Sequence, residues 1–343
     1  MARRPDPSSR GFKPGFRAGD WAEVRSAAEI LGTLDAEGSL DALPFMPEML
    51  QYCGVRFRVY KSAHKSCDTI KTWRNRRMNA AVHLEGLRCT GDAHVGCQAG
   101  CLLYWKEAWL KPAPGPKPDG DVREVPTDAL PPADGAGCNT ESLRRMTRVP
   151  EWTNANPDEG HRCQATEMFR ATTPVQWDPR PYVQDLRSRN VRPSDFLRYG
   201  ILALLSRLRR FPHIRGRAGA TTPPGEPLDL QPGEWVQVRS RDEILRTLNR
   251  KLKHRGLFFD VEMLPFCGRT FRVLRRVDRL IDDRSGKMVF PRSACLILEN
   301  VMCGGCLSRD RMFCPRSIYP YWHEAWLKRV GKGAGASAAR TSD

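Results

Sequence analysis

The sequence predicts an α+β protein: two duplicated small β-rich, barrel-like domains, each with a short inserted helix, joined by a Pro-rich linker and a helical middle segment. Three observations predict it. Residues 19–59 and 233–273 align without a gap at a constant offset of 214, with 20 identities in 41 positions. The copies also end alike, in YWKEAWLK at 104–111 and YWHEAWLK at 321–328. Between them, seven prolines fall from Pro112 to Pro132, a composition that makes a semi-extended linker and not a packed layer.

These observations divide the 343 residues into a first repeat at 17–111, a linker at 112–150 and a helical middle segment at 151–215. A Gly/Pro/Thr-rich connection follows at 216–230, then the second repeat at 231–330 and a disordered tail at 331–343. At roughly 95 residues, each repeat is long enough to fold around its own core.

Each repeat opens on an alternating stretch, Trp21–Val24 or Trp235–Val238, that reads as a strand. A capping-box pattern follows, Ser26 with Glu29 and Ser240 with Glu243, in which serine caps the third helical amide and glutamate reaches back. Ile30, Leu31 and Leu34, with Ile244, Leu245 and Leu248, then form the inner face of a short helix. A helical turn at Glu48-Met49-Leu50 (262–264 in the second copy) leads to a Cys-Gly turn at 53–54 and 267–268. Glycine is suited there because it tolerates positive φ. Arg56–Val59 alternates as a strand with Phe57 and Val59 inward, as does the segment around Phe271 and Val273. Further strands fit Ala81–Leu87 with Cys295–Val301, and Glu107–Lys111 with Glu324–Lys328. In the middle segment, Ser194 or Asp195 starts a helix running to about Arg210. Its apolar residues around Ile201–Leu205 occupy nearly all sides, which predicts a buried bridge between protein surfaces; the alternative is a basic amphipathic helix on an anionic membrane.

The motifs G-[DE]-W-x-x-V-R-S and C-G-x-x-F-R-V resemble the first strands of small Src-homology-three-like β-barrels over about half of each repeat. The whole chain resembles an uncharacterised family of bacterial cysteine-rich two-repeat proteins ending in YW-x-EAWL. Four or so short strands with one inserted helix per repeat suggest a small, curled sheet or barrel. The inserted helix and the cysteines depart from an ordinary barrel of that type.

The formal net charge of +17 favours an acidic partner, either nucleic acid, an anionic membrane or an acidic polymer, although the basic residues are spread along the chain. The first 20 residues lack an apolar h-region, and no stretch reaches the ~18 apolar residues of a membrane span. The expectation is a cytoplasmic protein with reduced thiols.

In that compartment twelve cysteines call for a chemical account. Cys53, Cys89 and Cys97 recur as Cys267, Cys303 and Cys314, and each copy adds two of its own: Cys67 and Cys101, or Cys295 and Cys306. Tetrahedral zinc takes four soft ligands, often two from a tight turn such as Cys303-Gly-Gly-Cys306. This predicts one site from Cys53, Cys89, Cys97 and Cys101, with His94 or Cys67 as substitutes, and another from Cys267, Cys303, Cys306 and Cys314. Three readings stand side by side: metal ligation by zinc or an iron–sulfur cluster, reduced core thiols, and disulfides. Cys138 and Cys163 fit no spacing pattern.

The matched tryptophans also have two readings, core packing or exposed stacking platforms for a single-stranded nucleic acid or a sugar. No Walker loop, Rossmann fingerprint, G-x-S-x-G elbow or H-E-x-x-H helix occurs, so no catalytic residue is assigned. The first expectation is therefore a non-enzymatic, metal-stabilised binding or scaffold protein gripping one partner through two modules. The alternatives are a nucleic-acid-binding protein using basic strand faces, and a thiol- or metal-dependent enzyme in which His94 activates Cys97.

Overall fold

The structure, a computed structural model, describes residues 15–116, 143, 160–175, 178–205, 214, 216 and 228–331. Most of the Pro-rich linker, the tail beyond residue 331, Cys138 and the helix arginines 207, 209 and 210 lie outside these residues.

In the first repeat the strands are β1 (Trp21–Val24), β2 (Ser39–Leu40), β3 (Leu43–Pro44), β4 (Arg56–Ser62) and β5 (Lys65–Cys67). They continue with β6 (Asn75–Met78), β7 (Ala81–Leu84), β8 (Trp105–Lys106) and β9 (Leu110–Ala113). The middle segment adds β10 (Thr172–Pro174). The second repeat has β11 (Trp235–Val238), β12 (Lys253–His254), β13 (Leu257–Phe258), β14 (Thr270–Arg276) and β15 (Leu280–Ile281). It ends with β16 (Met288–Val289), β17 (Cys295–Leu298), β18 (Trp322–His323) and β19 (Leu327–Arg329).

Two antiparallel five-stranded sheets have the same strand order, β8-β7-β4-β1-β9 and β18-β17-β14-β11-β19. Trp21 pairs with Arg58 in one and Trp235 with Arg272 in the other. The long strand of each sheet shifts register at equivalent places, between Val59 and Lys61 and between Val273 and Arg275. Such a bulge bends a strand, so that one strand serves both halves of a curled sheet.

Local sequence explains the short helices Ala27–Leu31 and Arg241–Thr247. Ser26 and Ser240 each accept from the third helical amide, and Glu29 and Glu243 complete both capping boxes. The predicted turn after each of them is a 3₁₀ helix, Pro47–Tyr52 or Val261–Phe266. Gly54 and Gly268 follow with φ of 77° and 78°, the left-handed backbone that the Cys-Gly pattern anticipates.

The same aromatic kernel fills each sheet. Phe45 meets Trp109 edge-on at 5.1 Å, and Phe259 meets Trp326 at 5.4 Å. Trp105, Trp109, Trp322 and Trp326 have no exposed surface, so these four indoles are core and not stacking platforms.

The two repeats differ in what lies between their second and third sheet strands. The first inserts β5 and β6, which β10 extends into a three-stranded sheet. The second inserts the β15–β16 hairpin. The helix Arg180–Arg187 docks on the first repeat, where its buried Asp185 pairs with buried Lys65 and lies 3.2 Å from His64.

The helix Pro193–Leu205 departs from expectation. It seats Phe196 against Phe313 at 5.5 Å with Tyr199 beside it, but Leu197, Ile201 and Leu202 are 63%, 46% and 45% exposed. At these three positions its apolar breadth does not translate into burial. Among those residues no helix is long and apolar enough to cross a membrane.

Candidate metal centre

The candidate centre is built on the chain between β7 and β8. Arg88 bridges to Leu102, and the Cys89 amide donates to the Cys101 carbonyl at 2.8 Å, which closes residues 89–101 into one loop. Inside it, Asp92–His94 form a 3₁₀ turn entered through Gly91 at φ 86°. A Cβ on Gly91 would lie 2.1 Å from the Cys97 carbonyl oxygen, so the loop requires glycine there. This turn aims His94 back at Cys89, with its Nε2 3.4 Å from the Cys89 Sγ.

The third member comes from the 3₁₀ helix Pro47–Tyr52: Glu48 Oε1 lies 3.4 Å from the Cys89 Sγ, close enough to accept its proton. One donor atom each from Glu48, Cys89 and His94 lies within 4.8 Å of the other two. Among the described residues this is the group of three or more His, Cys, Asp or Glu donors so arranged.

Two of its buried polar atoms, Glu48 Oε2 and His94 Nδ1, have no hydrogen-bond partner. Burial pushes the Glu48 carboxyl and the Cys89 thiol up from their usual ranges and pulls His94 down to about 4. Burial thus disfavours the charged form of all three groups. A buried cation reverses that preference, because ligation needs thiolate, carboxylate and neutral imidazole.

A cavity of ≈ 30 Å³ adjoins the triad. Cys89, His94, Cys97 and Cys101 line it, together with Cys163 from the middle segment and Asp283 from the second repeat. Burial raises the Cys101 thiol to about 12 and the Cys163 thiol to about 11. Burial also raises the Cys97 thiol, and His94 faces Cys89 and not Cys97. The geometry therefore gives no support to a Cys97 thiolate activated by His94. Cys53 does not line the cavity; it packs half-buried against the first core.

The second repeat has used the same positions differently. Glu262 stands 214 residues after Glu48, and its carboxylate accepts from the amides of Cys306 at 3.1 Å, Leu307 at 2.7 Å and Ser308 at 2.8 Å. Ser308 occupies the place of His94 at that offset. The Cys303-Gly-Gly-Cys306 turn that looked like a zinc knuckle wraps around a carboxylate.

Burial, with Glu262 and Cys314 nearby, raises the Cys303 thiol to about 12, and the other thiols of that repeat make individual contacts. Cys314 accepts from the Cys67 amide at 3.1 Å, the Cys306 thiol donates to the Gly304 carbonyl at 3.3 Å, and Cys267 lies 4.0 Å from the Met263 carbonyl. Every described cysteine is a free thiol.

Sequence reasoning picked out Cys89, Cys97, Cys101 and His94. It did not pick out Glu48, Cys163 or Asp283. The retained glutamate at 48 and 262 was the available signal; nothing local marks Cys163 or Asp283. Comparison with protein-family models, curated proteins and solved structures found no match.

Proposed function

We propose that this chain is a non-enzymatic, metal-stabilised binding or scaffold protein whose metal centre lies in its first repeat, at the Cys89 loop. The observation that carries this reading is the convergence of Glu48, Cys89 and His94, with buried atoms of Glu48 and His94 left unpartnered. Buried polar atoms without partners are costly in the absence of a ligand. The two sheets of identical order, with matched registers and aromatic kernels, support the reading of two duplicated barrel-like modules. Two such modules suit a bivalent grip on one partner, a protein or an acidic polymer. With four of the matched tryptophans in the core, the nucleic-acid alternative loses most of its stacking platforms and rests chiefly on charge. Elemental analysis tests the metal reading: the purified protein should carry close to one centre per chain, and Cys89→Ser should remove it. Less than about 0.3 metal per chain in the wild type, given that a structural site is filled when folded, defeats the proposal.

A further inference from the structure

The cavity beside the triad bears on what the centre holds. Cysteines kept as small core hydrophobes fill space, because interiors pack with few voids larger than a water molecule. Here the reverse holds: Cys89, Cys97, Cys101 and Cys163 surround a void. Two separate segments deliver them, the Cys89–Cys101 loop and the middle segment at Cys163, and a third, the β15–β16 hairpin, adds Ile281 and Asp283 to the cavity wall. The hairpin is fixed in place, with the Ile281 amide donating to Cys97 Sγ at 3.4 Å and the Gln98 amide to the Arg279 carbonyl at 3.1 Å.

The spacing of these thiols also matters. A single zinc ion with Zn–S bonds of about 2.3 Å draws its sulfurs to within about 4 Å of one another. No three of these four thiols lie mutually within 4.8 Å, although all four face one cavity. The thiols thus form no compact three-sulfur set for a single ion, whereas four cysteines around one cavity are the ligand set that an iron–sulfur cluster takes.

We propose that Cys89, Cys97, Cys101 and Cys163 ligate an iron–sulfur cluster in this cavity, with Glu48 and His94 standing behind Cys89 as its outer hydrogen-bonding groups. This rests on the reading of the Cys89 loop as a metal centre, keeps Cys89 as a ligand, and puts three further thiols in the ligand places of Glu48 and His94. Asp283 and the Arg279–Ile281 backbone place the cluster against the second repeat.

The test uses the full chain purified without oxygen and treated with ferrous iron and sulfide, then separately with zinc alone. The wild type should take up iron and acid-labile sulfide in equal amounts, roughly two to four of each per chain, with a broad visible charge-transfer band. Cys163→Ser and Cys97→Ser should each lose most of the iron and the band. Glu48→Gln should keep them, as should Cys53→Ser, which serves as a folding control.

If the protein instead binds one zinc, takes up no iron with sulfide, and loses zinc in Glu48→Gln but not in Cys163→Ser, the cluster is refuted and the metal centre stands. If the wild type takes up neither, both fall. The wild-type uptake decides even if a cysteine variant fails to fold.

Discussion

Trp109 is fully buried, and its indole Nε1 donates to Thr33 Oγ1 at 3.0 Å. Trp326 repeats the arrangement on Thr247 Oγ1 at 2.9 Å. The matched tryptophans were legible in the sequence; their burial was not, because an indole serves a core or a surface equally well until the sheet curls over it. Trp326→Ala should cost about 3–5 kcal/mol in denaturant unfolding. Thr247→Val should cost about 1–3 kcal/mol, since it strands a buried N–H. A loss below about 0.5 kcal/mol for the latter, within the range of surface changes, would contradict the bond.

His83 sets a pH dependence. Its ring is buried, Nδ1 sits 2.9 Å from the Leu103 carbonyl, and burial lowers its pKa to about 3; burial lowers His323 to about 4. Below the unfolded value of about 6.5 the unfolded chain binds protons that the folded chain refuses. Stability from these two rings is therefore complete above pH ~6.5 and declines as pH falls towards 3–4. Replacing His83 with Gln should flatten that decline in a series of unfolding curves. An unchanged slope would show that His83 is not held neutral.

At the scale of elements, local rules carried far. The capping boxes, the Cys-Gly turns and the first strands are settled within a few residues, and they form as the sequence indicates. Ser26→Ala and Ser240→Ala should each cost about 1 kcal/mol.

Docking between distant elements was not legible. Lys65 and Asp185 are 120 residues apart, and nothing near either marks the other. Asp185→Ala leaves Lys65 buried and unpaired, so a loss of about 3–5 kcal/mol is expected in equilibrium unfolding. The helix Pro193–Leu205 shows the opposite failure, because apolar composition on its own does not say which face meets a partner. Leu202→Asp should change stability by less than about 0.5 kcal/mol, as its side chain is already half in water. A loss of several kcal/mol would restore the buried-bridge expectation.

Across the whole molecule, two sheets of the same strand order carry glutamates with different surroundings, Glu48 and Glu262. The Cys89–Cys101 loop and Arg88 just before it grip the second repeat: Gln98 Oε1 accepts from the Asp278 amide at 2.6 Å, and Arg88 lies 3.9 Å from the Tyr319 ring centroid while donating to the Ser317 carbonyl. The second repeat caps its own buried glutamate with backbone amides and leaves no atom of it unpartnered. Cysteine spacing alone assigned equal sites to both copies, because spacing records which thiols recur and not whether a carboxylate between them is already satisfied. The Ser308-for-His94 difference is the local trace of that divergence.

Native mass spectrometry of the intact chain tests the central claim, a single metal centre in the first repeat, most directly. The wild type and Cys303→Ser should each carry the mass of one centre, and Cys89→Ser should carry none. A centre retained in Cys89→Ser, or two centres in the wild type with one lost in Cys303→Ser, would contradict the account.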